Sequence, residues 1–168
     1  MGNITIGIDL AKRIFHIAIM KTGEKTTYHT LKRADVLSFF ESLQNKNTIK
    51  IGLEACGGCH FWARNLEEMG FCVKMLKPSD VKPYAKAKQK NDKNDALAIA
   101  KATLDTELKS VSIKNIQAQD TMLLHKIRDN TIQNRIEKCN RFIALLHEFG
   151  YVPTRNSKSI SYLKQYIR

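Results

Sequence analysis

The chain has 168 residues, 43% of them hydrophobic, which suffices for one ordinary core with a helical extension but not for two full domains. Lys and Arg number 28 against 16 Asp and Glu, and the resulting formal net charge of +12 makes a polyanion such as nucleic acid the first partner to consider. No stretch reaches the roughly 20 apolar residues that a bilayer span requires, and Met1 to Asp9 lacks the basic and apolar regions of an export signal; a cytoplasmic protein with no membrane partner is expected. In that compartment Cys56, Cys59, Cys72 and Cys139 are expected to stay reduced.

In chain order, Ile4, Ile6 and Ile8 alternate with Thr5 and Gly7, and a second β-branched run covers Ile14 to Met20, so both segments read as strands. Thr22-Gly23-Glu24 turns the chain into a third extended piece, Lys25 to Leu31, completing a meander with Asp9 at the end of its first strand. Ala34 to Leu43 has helical spacing, and Thr48 to Leu53 is a strand that ends in Glu54. Phe61 to Met69 is helical with Gly70 at its C-terminal cap, and Phe71 to Leu76 is a buried-type strand closed by Lys77-Pro78. Alternating strands and helices imply that part of the sheet is parallel.

Asp92 to Leu104 reads as an Ala-rich helix whose apolar face would be Leu97, Ile99, Ala100 and Leu104, with two acids in its first turn. From Ile116 to Phe149 a narrow apolar stripe runs without Gly or Pro, which suits either one long helix or a helical hairpin, and association through a coiled coil is plausible. The tail from Tyr151 onward is basic and Ser-rich. The expected divisions are 1–112, 113–150 and 151–168.

Asp9 and Glu54 at strand ends, with Asp92 and Asp95 one helical turn apart, are the residue types that two-metal phosphoryl transfer needs: carboxylates that converge on two divalent ions. Each acid alone has a simpler use, as a turn cap, a surface acid or a helix cap.

Together they form words. Ile6-Gly7-Ile8-Asp9-Leu-Ala-Lys12, Gly52-Leu-Glu54-Ala-Cys-Gly-Gly-Cys-His60-Phe-Trp-Ala-Arg64, and Lys82-Pro-Tyr84 leading to Lys90-Asn-Asp92-Lys-Asn-Asp95-Ala96 resemble the three motifs of the DEDD insertion-sequence transposases. The resemblance covers residues 4 to 104 and continues through a similar helical region to Gly150, about the first half of a typical member. It implies an α/β fold, a ribonuclease H-like (RuvC-like) mixed sheet flanked by helices, followed by a long coiled-coil-like helical segment. It also implies that Asp9, Glu54, Asp92 and Asp95 are catalytic and hold Mg²⁺ or Mn²⁺, two ions being expected. The implied activity is DNA strand cleavage and transfer, with DNA and a guide RNA as partners; the apolar stripe of the helical segment separately leads to the expectation of a dimer or tetramer. The family's downstream serine domain has no counterpart here, so Ser157, Ser159 and Ser161 receive no catalytic role. Two alternatives stay open: a truncated, non-catalytic nucleic-acid-binding regulator, and a junction or hybrid nuclease acting alone.

Basic and polar residues near the acids are expected to meet nucleic acid: Lys12, His60, Arg64, Lys82, Tyr84, Lys86, Lys88 and Lys90, joined by Arg128 and Arg135 on the long helical segment. His60 has a structural alternative, and a solvated face would also account for the charges on the long segment. Cys56-Gly-Gly-Cys59-His60 matches the pattern of covalent haem attachment, but a basic chain without an export signal does not suit that chemistry. Zinc on Cys56, Cys59 and Cys72 is a minor alternative that lacks a clear fourth ligand.

Overall fold

Strand periodicity of two places alternate side chains on opposite faces, and the first strands use this to separate large residues from small ones. The computed structural model describes residues 4–85 and 91–152. Strands β1 (Ile4–Asp9), β2 (Ile14–Lys21), β3 (Thr27–Lys32), β4 (Ile49–Glu54) and β5 (Cys72–Leu76) form one sheet in the order β3-β2-β1-β4-β5. The first three make an antiparallel meander, while β4 runs parallel to β1 and β5 parallel to β4. This is the mixed sheet flanked by helices that the sequence led us to expect.

One face of the sheet carries bulk. Ile6 and Ile8 of β1, Phe15 and Ile17 of β2, and Ile49, Ile51 and Leu53 of β4 are buried there against Val36 and Phe40 of helix α1 (Val36–Glu41) and Trp62, Ala63 and Leu66 of helix α2 (Cys59–Glu68). Phe15 meets Trp62 edge-on with ring centroids 4.8 Å apart, and Phe40 meets Phe71 in the same way at 5.6 Å. Gly70, at φ +94°, ends α2 by adopting the left-handed conformation, and Phe71 N–H then donates back to the Leu66 carbonyl.

The opposite face carries Gly7, Ala18 and Gly52, and there helix α4 (Asp92–Leu104) lies directly on the strands. A Cβ at Gly7 would fall on the α4 backbone at Ala96 and Ala100, and one at Gly52 would fall on the Thr103 hydroxyl. Only glycine permits an approach this close. The helix answers with small residues: Ala96, Ala98, Ile99, Ala100, Ala102 and Thr103 are its buried positions. Of the expected apolar face, Ile99 and Ala100 are buried, Leu97 is half-buried and Leu104 is corrected. Leu104 is 46% exposed, because the contact is built from side chains too short to need a leucine stripe. Leu76 and Val81 complete this second core, Val81 coming from the single turn α3 (Pro78–Val81).

After α4 the chain crosses back over the sheet's β5 edge as a strap. Lys74 Nζ donates to the Asp105 carbonyl (2.6 Å), Val111 N–H to the Met75 carbonyl (2.7 Å), and Arg64 Nη1 to the Lys114 carbonyl (2.6 Å). The chain divides into compact units Met1–Asn115 and Ile116–Arg168, three residues beyond the division expected at 112. In the second unit, Ile116–Glu148 is one continuous helix, α5, rather than a hairpin, and none of its residues is buried.

Candidate metal centre

The register of β1 and β4 pairs Ile8 with Leu53, so the next residues, Asp9 and Glu54, end neighbouring parallel strands at one edge and on one face. That face is the one α4 covers. Asn91 caps the helix by accepting from Lys93 N–H (3.0 Å), which sets the first turn so that Asp92 and Asp95 follow the cap directly. Ala96, the next residue after Asp95, is the one seated on Gly7, two residues before Asp9. The glycine thus fixes how far the helical acids stand from the strand acids.

Electrostatics register the convergence. Burial raises the Asp9 pKa, and the charges of Asp95 and then Asp92 raise it further, with His16 opposing them. Glu54 is raised by burial, then by Asp9 and Asp95. Both strand carboxylates therefore feel the repulsion of neighbouring acids, Asp9 that of both helical ones and Glu54 that of Asp9 and Asp95.

The tightest group includes a residue that sequence reasoning missed. One ligand atom each from Asp9, His16 and Asp92 lies within 4.8 Å of the other two. His16 is the cross-strand partner of Asp9 in the β1–β2 pair and shares its face. Its Nδ1 is buried without a hydrogen-bond partner and stands 3.6 Å from Asp92 Oδ2. The signal was available in the hairpin register, but a strand read as an apolar run hides its one polar inward position. Glu54 and Asp95 stand outside this innermost group, which is the only such group of metal-binding type among the described residues.

The remaining candidate residues fall in several places. Lys12 is exposed in the β1–β2 turn beyond Asp9. His60 and Arg64 are joined to the strap, with Lys114 N–H donating to His60 Nδ1 at 3.3 Å, and burial, then Lys114 and Arg64, lower the His60 pKa. Lys82 and Tyr84 form a turn of 3₁₀ helix, and the Tyr84 hydroxyl donates to Asp105 Oδ2. Arg128 and Arg135 are exposed on α5, Arg128 lying 3.6 Å from Asp129. Lys86, Lys88 and Lys90 lie outside the described residues, as do Ser157, Ser159 and Ser161.

Cys56, Cys59 and Cys72 do not gather with other ligands in the described residues. Desolvation, with Cys59, Glu54 and Asp9 nearby, pushes the Cys56 thiol up to about 11. No helix of the described residues is long and apolar enough to cross a membrane.

Comparison with known proteins adds an independent view. The family model for DEDD transposases of the IS110 type, described as a transposase, matches residues 6–151. A probable family 20 transposase of Pseudomonas aeruginosa is 36% identical over 155 residues, covering 92% of this chain and 45% of the relative. The transposase for insertion sequence element IS1111A of Coxiella burnetii is 36% identical over 157 residues, covering 91% and 41%. The chain spans less than half the length of these curated relatives. A structure of Thermus thermophilus RuvC is similar with a TM-score of 0.44 and 15% identity, over 64% of this chain and 99% of that one.

Proposed function

This chain belongs to the IS110 family of DEDD transposases, and from that premise we propose that it carries the divalent-metal centre for DNA strand cleavage and transfer. The observation that supports the reading is that Asp9 and Glu54 end adjacent strands on the face that α4 covers, with Asp92 and Asp95 in the first turn of that helix and Asp92 in reach of Asp9.

The residues fit a divalent cation such as Mg²⁺ or Mn²⁺. Burial and mutual repulsion raise Asp9 and Glu54, and the inward His16 Nδ1 has no hydrogen-bond partner; both are conditions that a cation relieves. Asp9, Glu54, Asp92 and Asp95 would hold it, as two ions in the arrangement proposed. Bound there, divalent metal activates an attacking oxygen and stabilises a leaving one.

The chain's own contribution is positional. Gly7 and Gly52 let α4 close on the sheet, which carries Asp92 and Asp95 to the strand acids. Lys12 follows Asp9 in an exposed turn, and Lys82 precedes the acid-bearing helix; both would draw backbone phosphates toward the centre, giving affinity and salt dependence rather than sequence choice. Lys86, Lys88 and Lys90 belong to the same proposal, as do guidance by RNA and a role for Arg128 and Arg135 on nucleic acid. On α5, Ile132, Ile136, Cys139, Ile143 and Leu146 alternate by four and three, the seam spacing of a coiled coil, and support association into a dimer or tetramer.

The test is calorimetric titration of Mg²⁺ and of Mn²⁺ into the folded wild type and into Asp9→Asn with Asp92→Asn, each beside a short DNA duplex. Binding by the wild type and its loss in the double variant are expected. Absence of binding in both would replace the metal centre with a purely scaffolding role on nucleic acid. Sedimentation of the same samples reads the oligomer, and a wild type that stays monomeric at all concentrations removes the coiled-coil proposal.

A further inference from the structure

We propose that His16 is a nitrogen ligand of the ion held between Asp9 and Asp92, and that it biases this position toward Mn²⁺ and similar transition ions over Mg²⁺. The proposal rests on the metal reading above and assigns a residue outside the four acids.

Three observations converge on it. Backbone register sets His16 opposite Asp9 on the face that α4 covers, so its orientation is fixed by two paired strands rather than by a mobile loop. The Nδ1 atom is buried and without a hydrogen-bond partner, a costly condition for a polar atom in a folded chain. At 3.6 Å from Asp92 Oδ2 it is too far for a hydrogen bond, yet Asp9, His16 and Asp92 each present an atom within 4.8 Å of the others. Ligands bound to one ion at about 2.1 Å stand about 3 Å apart at right angles and farther apart at wider angles, so small adjustments bring these atoms into one coordination shell.

His16 Nδ1 and Asp92 Oδ2 are within ion-pair distance at 3.6 Å, yet no hydrogen bond joins them and the buried nitrogen is left without one. A ligand role uses that lone pair. It also changes the selectivity expected from carboxylates alone, because Mg²⁺ prefers oxygen and water whereas imidazole suits the later divalent ions.

Pulsed electron paramagnetic resonance of the full 168-residue chain loaded with Mn²⁺ reads the ligand directly. Histidine nitrogen coupling is expected in the wild type and is lost in His16→Gln, which keeps a polar side chain of similar reach. By calorimetry His16→Gln should weaken Mn²⁺ by about tenfold or more while shifting Mg²⁺ by less than about threefold. An oxygen-only signal in the wild type, or nitrogen coupling that survives in His16→Gln, overturns the assignment. Asp9→Asn separates the two levels of the argument. If it abolishes Mn²⁺ binding while the wild type shows no nitrogen coupling, His16 alone is wrong; if it binds Mn²⁺ as the wild type does, the four-acid centre itself fails.

Discussion

The two faces of the sheet solve the same problem, covering apolar strands, with opposite materials. On one, Phe15, Phe40, Trp62 and the isoleucines and leucines of β1, β2 and β4 interlock as large side chains. On the other, glycine, alanine and threonine bring α4 onto the strand backbone itself. Bulk gives stability that tolerates some adjustment, whereas contact between backbones gives position: a helix resting on Gly7 cannot move closer or farther without a clash or a gap. The acids belong to the second face.

That contrast can be broken from either side. Phe40→Ala should cost about 3–5 kcal/mol in chemical denaturation, the usual scale for emptying an aromatic site in a core. Metal affinity of the molecules that remain folded should stay within about threefold of wild type, because no residue of the acid face moves. A large loss of affinity there would show that the two faces are not separable.

Gly7→Ala should also destabilise, by about 3 kcal/mol, because the methyl group would fall on α4 backbone atoms that cannot swing aside as a side chain does. Its effect on the centre should be the larger one. Displacing Ala96 moves Asp95 and Asp92 off the strand acids, and metal affinity measured by calorimetry should drop at least tenfold even where circular dichroism shows a folded domain. Wild-type affinity in folded Gly7→Ala would mean the close packing is not what sets the acids.

The smallest effect sharpens the comparison through pH. Asp9 and Glu54 have folded-state pKa values above the ordinary 3.8 and 4.5, so between those values and the raised ones the folded chain binds more protons than the unfolded chain. Stability contributed by these groups therefore falls as pH rises through that window. With a chelator present, Asp9→Asn should be more stable than wild type near neutral pH, by about 1 kcal/mol, the typical yield of relieving a functional site. The advantage should shrink as pH falls toward the ordinary carboxylate range, as thermal melts across pH would show. A constant difference at every pH would remove charge repulsion as its cause.

Much of this arrangement was legible from residue order. Strand alternation locates β1 and β2 and puts the four acids at strand ends and in a helical first turn, because periodicity reports faces and ends well. Gly7 and Gly52 were harder to read. A glycine within a strand pattern signals close approach of another backbone only when the approaching element is known, and α4 lies far along the chain. The same blindness to partners misassigned Leu104 to the buried face of α4. His16 was hidden for a different reason, since its role depends on which residue stands across the hairpin, and that register follows from the turn geometry between Asp9 and Ile14.

The docking of α4 also orders events in time. Synthesis delivers the chain from its N-terminus, so Asp9, His16 and Glu54 are available while Asp92 and Asp95 have still to be made. Until the helix has been completed through Thr103 and seated on Gly7 and Gly52, the strand carboxylates have no lid and no helical partners. In a nascent chain of this design the strand acids therefore wait for one small-residue helix before they gain their helical neighbours.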